Sequence, residues 1–473
     1  FLRSGQIFKT RIEGGPSLAI AAIHGTPHFC TWGTQHILCS VSGRFVRYEP
    51  TGGEPIQGPA VDVPAAILPA YLPDGRHFLF FSRHGAGGGI YLAAAGSDGA
   101  TVLGDADSAA AFAPPDRVLF VRGTTLLAQR LDLAGRRLVG DAELVASGVS
   151  AGTAYERHLL WISASQTGVL AYQTPRGGSA GQLTWFDRNG RPTGSIPTPT
   201  DTEFLNPAIS PDGTTIAANR VDPQSGNWDV WLVDIASGAA SRFTTDAAFD
   251  GDPVWSPDGK AIAFMSERSG TLALYRQPIG GGAAAEHLLD VGDARFAIPS
   301  QWTSTGEIIY HRSLPGRWQI WAVSVAGDRT PVQLIESPFG VYAGRLSPDG
   351  EWIAFNSFEN GPVEVFVQRV DVEGPRRQIS FGGGVHPRWT NDGELIYWAP
   401  PAGIFAHTLS LSPSEIRVGP RRAVVDHPVL SLIDARTHYD VSPDGERLLV
   451  RQPAGPMGPG IKVVLNWASR LRR

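Results

Sequence analysis

The sequence predicts an all-β fold: tandem β-propellers of four-stranded antiparallel blades, with about ten repeats in 473 residues. A tetrapeptide recurs at Ser210-Pro211-Asp212-Gly213, Ser256-Pro257-Asp258-Gly259, Ser347-Pro348-Asp349-Gly350 and Ser442-Pro443-Asp444-Gly445, with Leu72-Pro73-Asp74-Gly75 as a variant. From Asp74 onward these aspartates stand 138, 46, 91 and 95 residues apart, so each interval is three, one, two or two units of roughly the length of a propeller blade. The gaps require further copies. Degenerate turns fill them near Trp32-Gly33-Thr34-Gln35 and at Pro115-Asp116, Ser165-Gln166-Thr167-Gly168, Ser304-Thr305-Gly306 and Asn391-Asp392-Gly393.

Each element of the repeat follows from local chemistry. In S-P-D-G, proline presets φ, aspartate bonds its neighbouring backbone, and glycine takes the left-handed conformation that closes a turn between two strands. Before the turn stands a short strand entered through proline, as in Asp252-Pro253-Val254-Trp255 and His386-Pro387-Arg388-Trp389. After it comes an alternating apolar run, as in Ala261-Ile262-Ala263-Phe264 and Trp352-Ile353-Ala354-Phe355, then a run with an aromatic, as in Asp229-Val230-Trp231 and Gln319-Ile320-Trp321. A fourth strand follows, as in Arg242-Phe243-Thr244 and Glu286-His287-Leu288-Leu289. A single sheet of this size buries both faces only when neighbours stack radially on it, which is a propeller.

Ten blades exceed the four to eight of one ring, so two rings are expected, divided into residues 1–190 (an incomplete set of blades) and 191–473 (a ring of six or seven). Six turns, at Asp212, Asp258, Thr305, Asp349, Asp392 and Asp444, fall in the second. Its last blade would hold Arg447 to Arg451 and Ile461 to Trp467, with a strand near Arg191 to Ile196 closing the ring. A boundary one repeat earlier, closed by Glu143-Leu144-Val145, would make seven blades.

Composition bounds the function. Glycine (56) and proline (37) supply frequent turns, and 42% hydrophobic residues supply a core. Forty basic groups against forty-five acidic ones leave a net charge of −5, which lacks the basic footprint of a dedicated nucleic-acid binder. Only three of the basic residues are lysine, which we read as a genome-composition effect. No apolar run reaches the length of a bilayer span, so no membrane insertion is expected within the chain. The opening Phe1-Leu2-Arg3-Ser4-Gly5 reads as the inside of a strand pair, from which upstream sequence is expected. The two cysteines, Cys30 and Cys39, flank a hairpin turn at Thr34-Gln35. A cross-strand disulfide and a pair of buried thiols both fit that placement.

The stretch Trp255 to Phe264 resembles the W-S-P-D-G-x-x-I-A-F unit of the TolB-like propeller family, a resemblance specific for fold. A narrower resemblance spans most of the chain. Its carrying residues are Tyr71 to Phe81 (Y-L-P-D-G-R-H-F-L-F-F), Leu183 to Gly190 (L-T-W-F-D-R-N-G), Asn206 to Gly213, Asp229 to Asp234 (D-V-W-L-V-D) and Val463 to Trp467. In these the chain is similar to the C-terminal propeller region of bacterial, especially acidobacterial, membrane-anchored serine/threonine protein kinases. The resemblance implies a sensor region on the periplasmic or extracellular side of the membrane, with an upstream anchor. The kinase itself is not implied for these residues, which contain no H-R-D, no D-F-G and no glycine-rich phosphate loop.

Catalytic motifs have weak support. Gly148-Val149-Ser150-Ala151-Gly152 and Gly177-Gly178-Ser179-Ala180-Gly181 match G-x-S-x-G but lie in small-residue loops without the strand-to-helix context of a nucleophile elbow. Neither H-E-x-x-H nor paired C-x-x-C is present, and no cofactor or metal is expected. The turn aspartates are explained by turn chemistry alone. Ligand-binding candidates are therefore sought on the loops that lead into the innermost strands of the C-terminal ring. They are Glu203, Phe249, Asp250, Asp252, Arg295, Phe296, Tyr342, His386, Arg388, Arg436, His438 and Tyr439, with Phe204 and Phe339 beside them. The mixture suits a protein, a peptide or a small polar ligand. The expected function is a non-catalytic ligand- or protein-binding propeller, the sensor region of a membrane-anchored kinase. The alternatives are a free periplasmic TolB-like scaffold and the substrate-gating propeller of a serine peptidase.

Overall fold

The structure, a computed structural model, describes residues 2–3, 6–11, 13, 17–22, 27–41, 44–63, 66–82, 88–149, 162–165, 167–173, 181–198, 204–222, 227–280, 284–292, 294, 296–314, 317–359, 363–370, 376–400, 402–412, 415–426, 437–453 and 461–470. Strands dominate, and the one helical element among these residues is a 3-10 turn at Trp467–Arg470. The strands form eleven antiparallel sheets. Ten of them have one of the predicted turns between their first and second strands. The remaining sheet, Leu2–Arg3, Gln6–Lys9 and Leu18–Ala22, carries none.

The S-P-D-G turns form as their chemistry requires. At the first, Gly213 N donates to Ser210 O at 2.8 Å. Ser210 Oγ donates to Asp212 Oδ1 at 2.5 Å and accepts from Thr215 N at 2.9 Å. The same serine-to-aspartate bond recurs at Asp258, Asp349 and Asp444. Gly213, Gly259, Gly350 and Gly445 all have φ near 70°, between 70° and 77°, a region where a side chain is strained. The serine hydroxyls hold the carboxyls of Asp212, Asp258 and Asp444 below the ordinary carboxylate range. The turn aspartates are thus engaged within their own turns.

Residues 178–456 form one compact unit of six sheets. Five follow one another along the chain. Representative strands are Leu205–Ile209, Asp250–Trp255, Phe296–Trp302, Val341–Leu346 and Val385–Trp389, each the first and innermost of its sheet. The sixth is shared between the two ends of the unit. Tyr439–Val441 and Arg447–Pro453 are continued by Gly181–Asp187 and Pro192–Ser195, with Trp185 opposite Leu449. The ring therefore has six blades, closed by two strands from its N-terminal side. Apolar side chains pack from blade to blade. Val254, Ala263 and Leu274 meet Ala297, Ile308 and Tyr310, and Phe186 from the closing strand meets Ile396, Trp398 and Val450.

Residues 1–177 and 457–473 form the other compact unit, with five sheets. Two expectations are corrected here. The strand Ile461–Val464 does not belong to the last blade of the C-terminal ring; it pairs with Leu170–Gln173, Leu170 opposite Val464. Glu143-Leu144-Val145 lies in Arg137–Ser147, which pairs with Thr125–Asp132 in this same unit. The physical reason is strand occupancy. Gly181–Asp187 already fills the free edge of Arg447–Pro453, and Trp467 is buried against Leu170, Tyr172 and Val121. The units thus divide at 178 and 456, in place of the single boundary expected at 190.

Cys30 and Cys39 face each other across Pro27–Trp32 and Ile37–Val41 and are disulfide-bonded, with their Cα atoms 4.0 Å apart. Of the two arrangements left open by the sequence, the structure has the disulfide. The bridge closes a loop of sequence separation 9, for which chain entropy assigns a stabilisation of about 2–3 kcal/mol. Replacing both cysteines by alanine is expected to lower the unfolding free energy of this unit by that amount, read as a lower urea midpoint. The same shift should appear in the native protein on adding reductant, and equal midpoints with and without reductant would contradict it.

Candidate functional site

Blade topology decides which side chains meet. Within each meander the S-P-D-G turn lies at one end of the sheet. The link between second and third strands, and the link from the fourth strand to the next blade, lie at the other end. The beginnings of the six innermost strands of residues 178–456 therefore gather at one end of the ring.

The backbone at these beginnings is irregular in a repeating way. Asn206, Asp252, Ala343 and His386 have φ between 50° and 60°, a region that non-glycine residues seldom adopt. Each lies within a register shift, Leu205/Ala208, Gly251/Val254, Tyr342/Arg345 and Val385/Arg388. These are bulges that re-aim the side chains around them. Asn206, Asp252 and His386 each precede a proline, which has no ladder N–H to lose. That pairing is the sequence signal for the bulge.

Two candidates are engaged by neighbouring side chains, Asp252 across blades and Asp250 within its own. Asn206 Oδ1 accepts from Thr437 N at 2.7 Å, and its Nδ2 donates to Asp252 Oδ1. Asn219 Nδ2 donates to Asp252 Oδ1 at 3.1 Å and Asn219 Oδ1 accepts from Asp252 N at 2.8 Å. Asp250 receives Arg268 Nη2 on both oxygens, at 2.9 and 2.8 Å. Burial raises the Asp250 carboxyl above its ordinary value while Arg268 opposes the shift. Expected on an open rim, Asp250 and Asp252 are buried instead, because these strand beginnings press against neighbouring blades. Phe249 is half-buried, 6.4 Å from Trp228, and Phe204 is buried in the core with Leu183 and Ile209.

Four other candidates come together. His386, Arg388, His438 and Tyr439 stand on the beginnings of adjacent blades, all buried. Arg388 Nε donates to Asp440 Oδ1 at 3.2 Å, its Nη1 to Pro387 O at 3.1 Å and its Nη2 to Thr437 Oγ1 at 3.2 Å. The Tyr439 hydroxyl donates to His386 O at 2.6 Å, and burial raises its pKa. His438 sits edge-on to Trp398 at 5.4 Å. Arg345, which sequence reasoning did not select, joins this group. It follows left-handed Ala343 by two residues as Arg388 follows His386. Burial, with the like charge of Arg388 second, lowers Arg345 to about 9, so it remains cationic at neutral pH. Its Nε is buried without a hydrogen-bond partner among the described residues.

Beside this polar group lies an aromatic one. Phe296 stacks on Trp318 at 6.1 Å, Trp318 lies 5.9 Å from Tyr342, and Tyr342 lies 5.8 Å from Phe358 and 6.2 Å from His386. Phe339, Phe358 and Phe381, on loops of the same end, are exposed. His311 is buried between Trp318 and Tyr342. Two cations, one carboxylate and a row of aromatic faces together can recognise a carboxylate-bearing chain by charge-assisted hydrogen bonds and stacking. Glu203, Arg295 and Arg436 lie outside the described residues, as do Ser150 and Ser179. Among the described residues no group of three or more His, Cys, Asp or Glu is placed to hold a metal ion. No helix among them is long and apolar enough to cross a membrane.

Comparison with known proteins places this architecture. Residues 198–339 match the family model described as the TolB beta propeller domain. An uncharacterised protein of Agrobacterium fabrum is 28% identical over 199 residues, 39% of this chain and 66% of that protein. The TolB homologue of Chlorobium luteolum is 31% identical over 148 residues, 31% of this chain and 33% of that protein. An uncharacterised peptidase of Bacillus subtilis is 30% identical over 110 residues, 22% of this chain and 16% of the peptidase. The matches thus span from 16% to 66% of these relatives' lengths. Among solved structures, a putative TolB from Agrobacterium tumefaciens has a TM-score of 0.45 at 20% identity, covering 57% of this chain and 98% of that one.

Proposed function

We propose that this chain, whose residues 198–339 carry a TolB beta propeller domain, is a non-catalytic binding module. Its ligand is a protein, a peptide or a small polar molecule received at the gathered strand beginnings of residues 178–456. The observation that carries the reading is the juxtaposition of Arg345, Arg388 and Asp440 with the Phe296–Trp318–Tyr342–Phe358 aromatic row. In the wider reading the module is the extracytoplasmic sensor region of a membrane-anchored serine/threonine kinase. The kinase-type sequence resemblance supports this, as does the Cys30–Cys39 disulfide, a bond suited to an oxidising compartment. A second reading, a free periplasmic protein-binding scaffold, is favoured by the match to the Chlorobium TolB homologue.

A ligand that binds only the folded state raises the melting temperature. We expect one or more acidic peptides from a panel of peptides, glycans and nucleotides to do so. Arg345→Ala should weaken that binding by about tenfold, the loss of one charge-assisted contact. Arg345 is chosen because Arg388 is tied to Asp440, so that its removal would also test stability. A panel without any shift, or binding indifferent to Arg345, would overturn the assignment of this end of the ring.

A further inference from the structure

The unit formed by residues 1–177 and 457–473 holds a cavity of about 760 Å³, within the range of small-molecule sites. It is bounded by four innermost strands and their turns: Pro27–Trp32, Ala66–Tyr71, Ala111–Ala113 and Ile162–Ala164. Three observations define its chemistry. Among the described residues no acidic, basic or histidine side chain lines it, so a charged ligand would leave water without a counter-charge from them. Aromatic rings do line it, Phe29, Trp32, Tyr71 and Phe112. Of these, Trp32 is 55% and Phe29 42% exposed, and neighbouring exposed aromatics mark a binding surface. Hydroxyl groups of Thr31, Thr34 and Ser163 stand among the rings; a purely apolar ligand would strip water from them without replacing its hydrogen bonds.

We propose that this cavity binds an uncharged saccharide. A sugar ring offers C–H faces to the exposed aromatics and a hydroxyl edge to the threonine and serine groups. It brings no charge that the wall would have to compensate. The wall is held in shape locally. The Cys30–Cys39 bridge ties one lining strand to its neighbour, Tyr71 N donates to Thr31 Oγ1 at 3.3 Å, and a Cβ on Gly33 would stand 2.8 Å from the Tyr71 ring. Gly33 therefore lets the Tyr71 ring lie flat over the turn. The site is separate from the one proposed on residues 178–456, and the two can fail independently.

The test is titration calorimetry on the full chain with neutral hexasaccharides (β-1,4-glucan, α-1,4-glucan and β-1,4-N-acetylglucosamine) and with hexagalacturonate as the charged counterpart. We expect at least one neutral hexamer to bind and hexagalacturonate to bind more weakly. Trp32→Ala, a change at an exposed ring, should weaken the neutral ligand by about tenfold or more, and Phe29→Ala should act in the same direction. Arg345→Ala should leave this binding unchanged. Absence of heat with every neutral hexamer at millimolar concentration, or tighter binding of hexagalacturonate, overturns the proposal. So does neutral binding that survives Trp32→Ala with the circular dichroism spectrum intact.

Discussion

A fragment of residues 198–456 is expected to be unfolded, whereas residues 178–456 are expected to unfold in one cooperative transition. The two differ by the segment that closes the ring. Gly181–Asp187 and Pro192–Ser195 form the outer half of the last blade, with seven register pairs between Gly181–Asp187 and Arg447–Pro453. Leu183, Trp185 and Ile196 are buried in one inter-blade core with Ile209, Ile216 and Leu449, and Phe186 is buried in the next. Four large apolar side chains at about 1.5–3 kcal/mol each come to about 6–12 kcal/mol. That is comparable with the whole stability of a domain. The removal would also leave an open strand edge at Arg447–Pro453, a template for association. Circular dichroism and urea unfolding of both fragments check this; a cooperative transition for 198–456 would show that closure is dispensable. The family match, beginning at residue 198, therefore omits strands that the ring needs.

His311→Phe is expected to remove a large part of the acid sensitivity of the C-terminal ring. His311 is fully enclosed between Trp318 and Tyr342, and both ring nitrogens lack hydrogen-bond partners among the described residues. Burial, with the positive charge of Arg345 second, lowers its pKa from 6.5 to about 3. The folded state thus holds a neutral imidazole where the unfolded chain would be protonated below pH 6.5. The unfolded state binds the extra proton, so stability contributed above pH 6.5 is lost as pH falls towards 3. The slope is about 1.4 kcal/mol per pH unit, or about 3 kcal/mol between pH 6 and pH 4. Phenylalanine keeps the ring contacts and has no proton to take up. The difference in unfolding free energy between wild type and variant should therefore change by that amount between the two pH values. A pH-independent difference would show that His311 is protonated in the fold.

These expectations draw on levels of structure that were unequally legible in the sequence. The S-P-D-G turns could be read because their chemistry is complete within six residues: Ser210, Asp212, Gly213 and Thr215 satisfy one another without tertiary help. The left-handed bulges at Asn206, Asp252 and His386 left a trace as residue–proline pairs, but Ala343 precedes Gly344 and shows no such trace. Loop positions of the candidate residues were also legible. Their burial was not, since Asp252 meets Asn206 and Asn219 only when blades stack, and Asp250 meets Arg268 only when the link after the second strand of its own blade folds back on the first. Arg345 was missed because its significance lies in standing beside Arg388 and Asp440, 43 and 95 residues further on.

The all-β propeller class, the blade length and the ten turns were legible in the residues alone, because each rests on contacts within one hairpin or on the spacing between hairpins. The number of blades in the C-terminal ring, the partner of Ile461–Val464, the Cys30–Cys39 bond and the aromatic-lined cavity emerged from tertiary packing alone. The reason is that a propeller is closed by strands far apart in the chain. Gly181–Asp187 and Leu170–Gln173 are neighbours in sequence and both lie inside their sheets, yet they take Arg447–Pro453 and Ile461–Val464 respectively. That choice is made by which hydrophobic faces, Phe186 on Trp398 or Leu170 on Trp467, are covered when the blades pack.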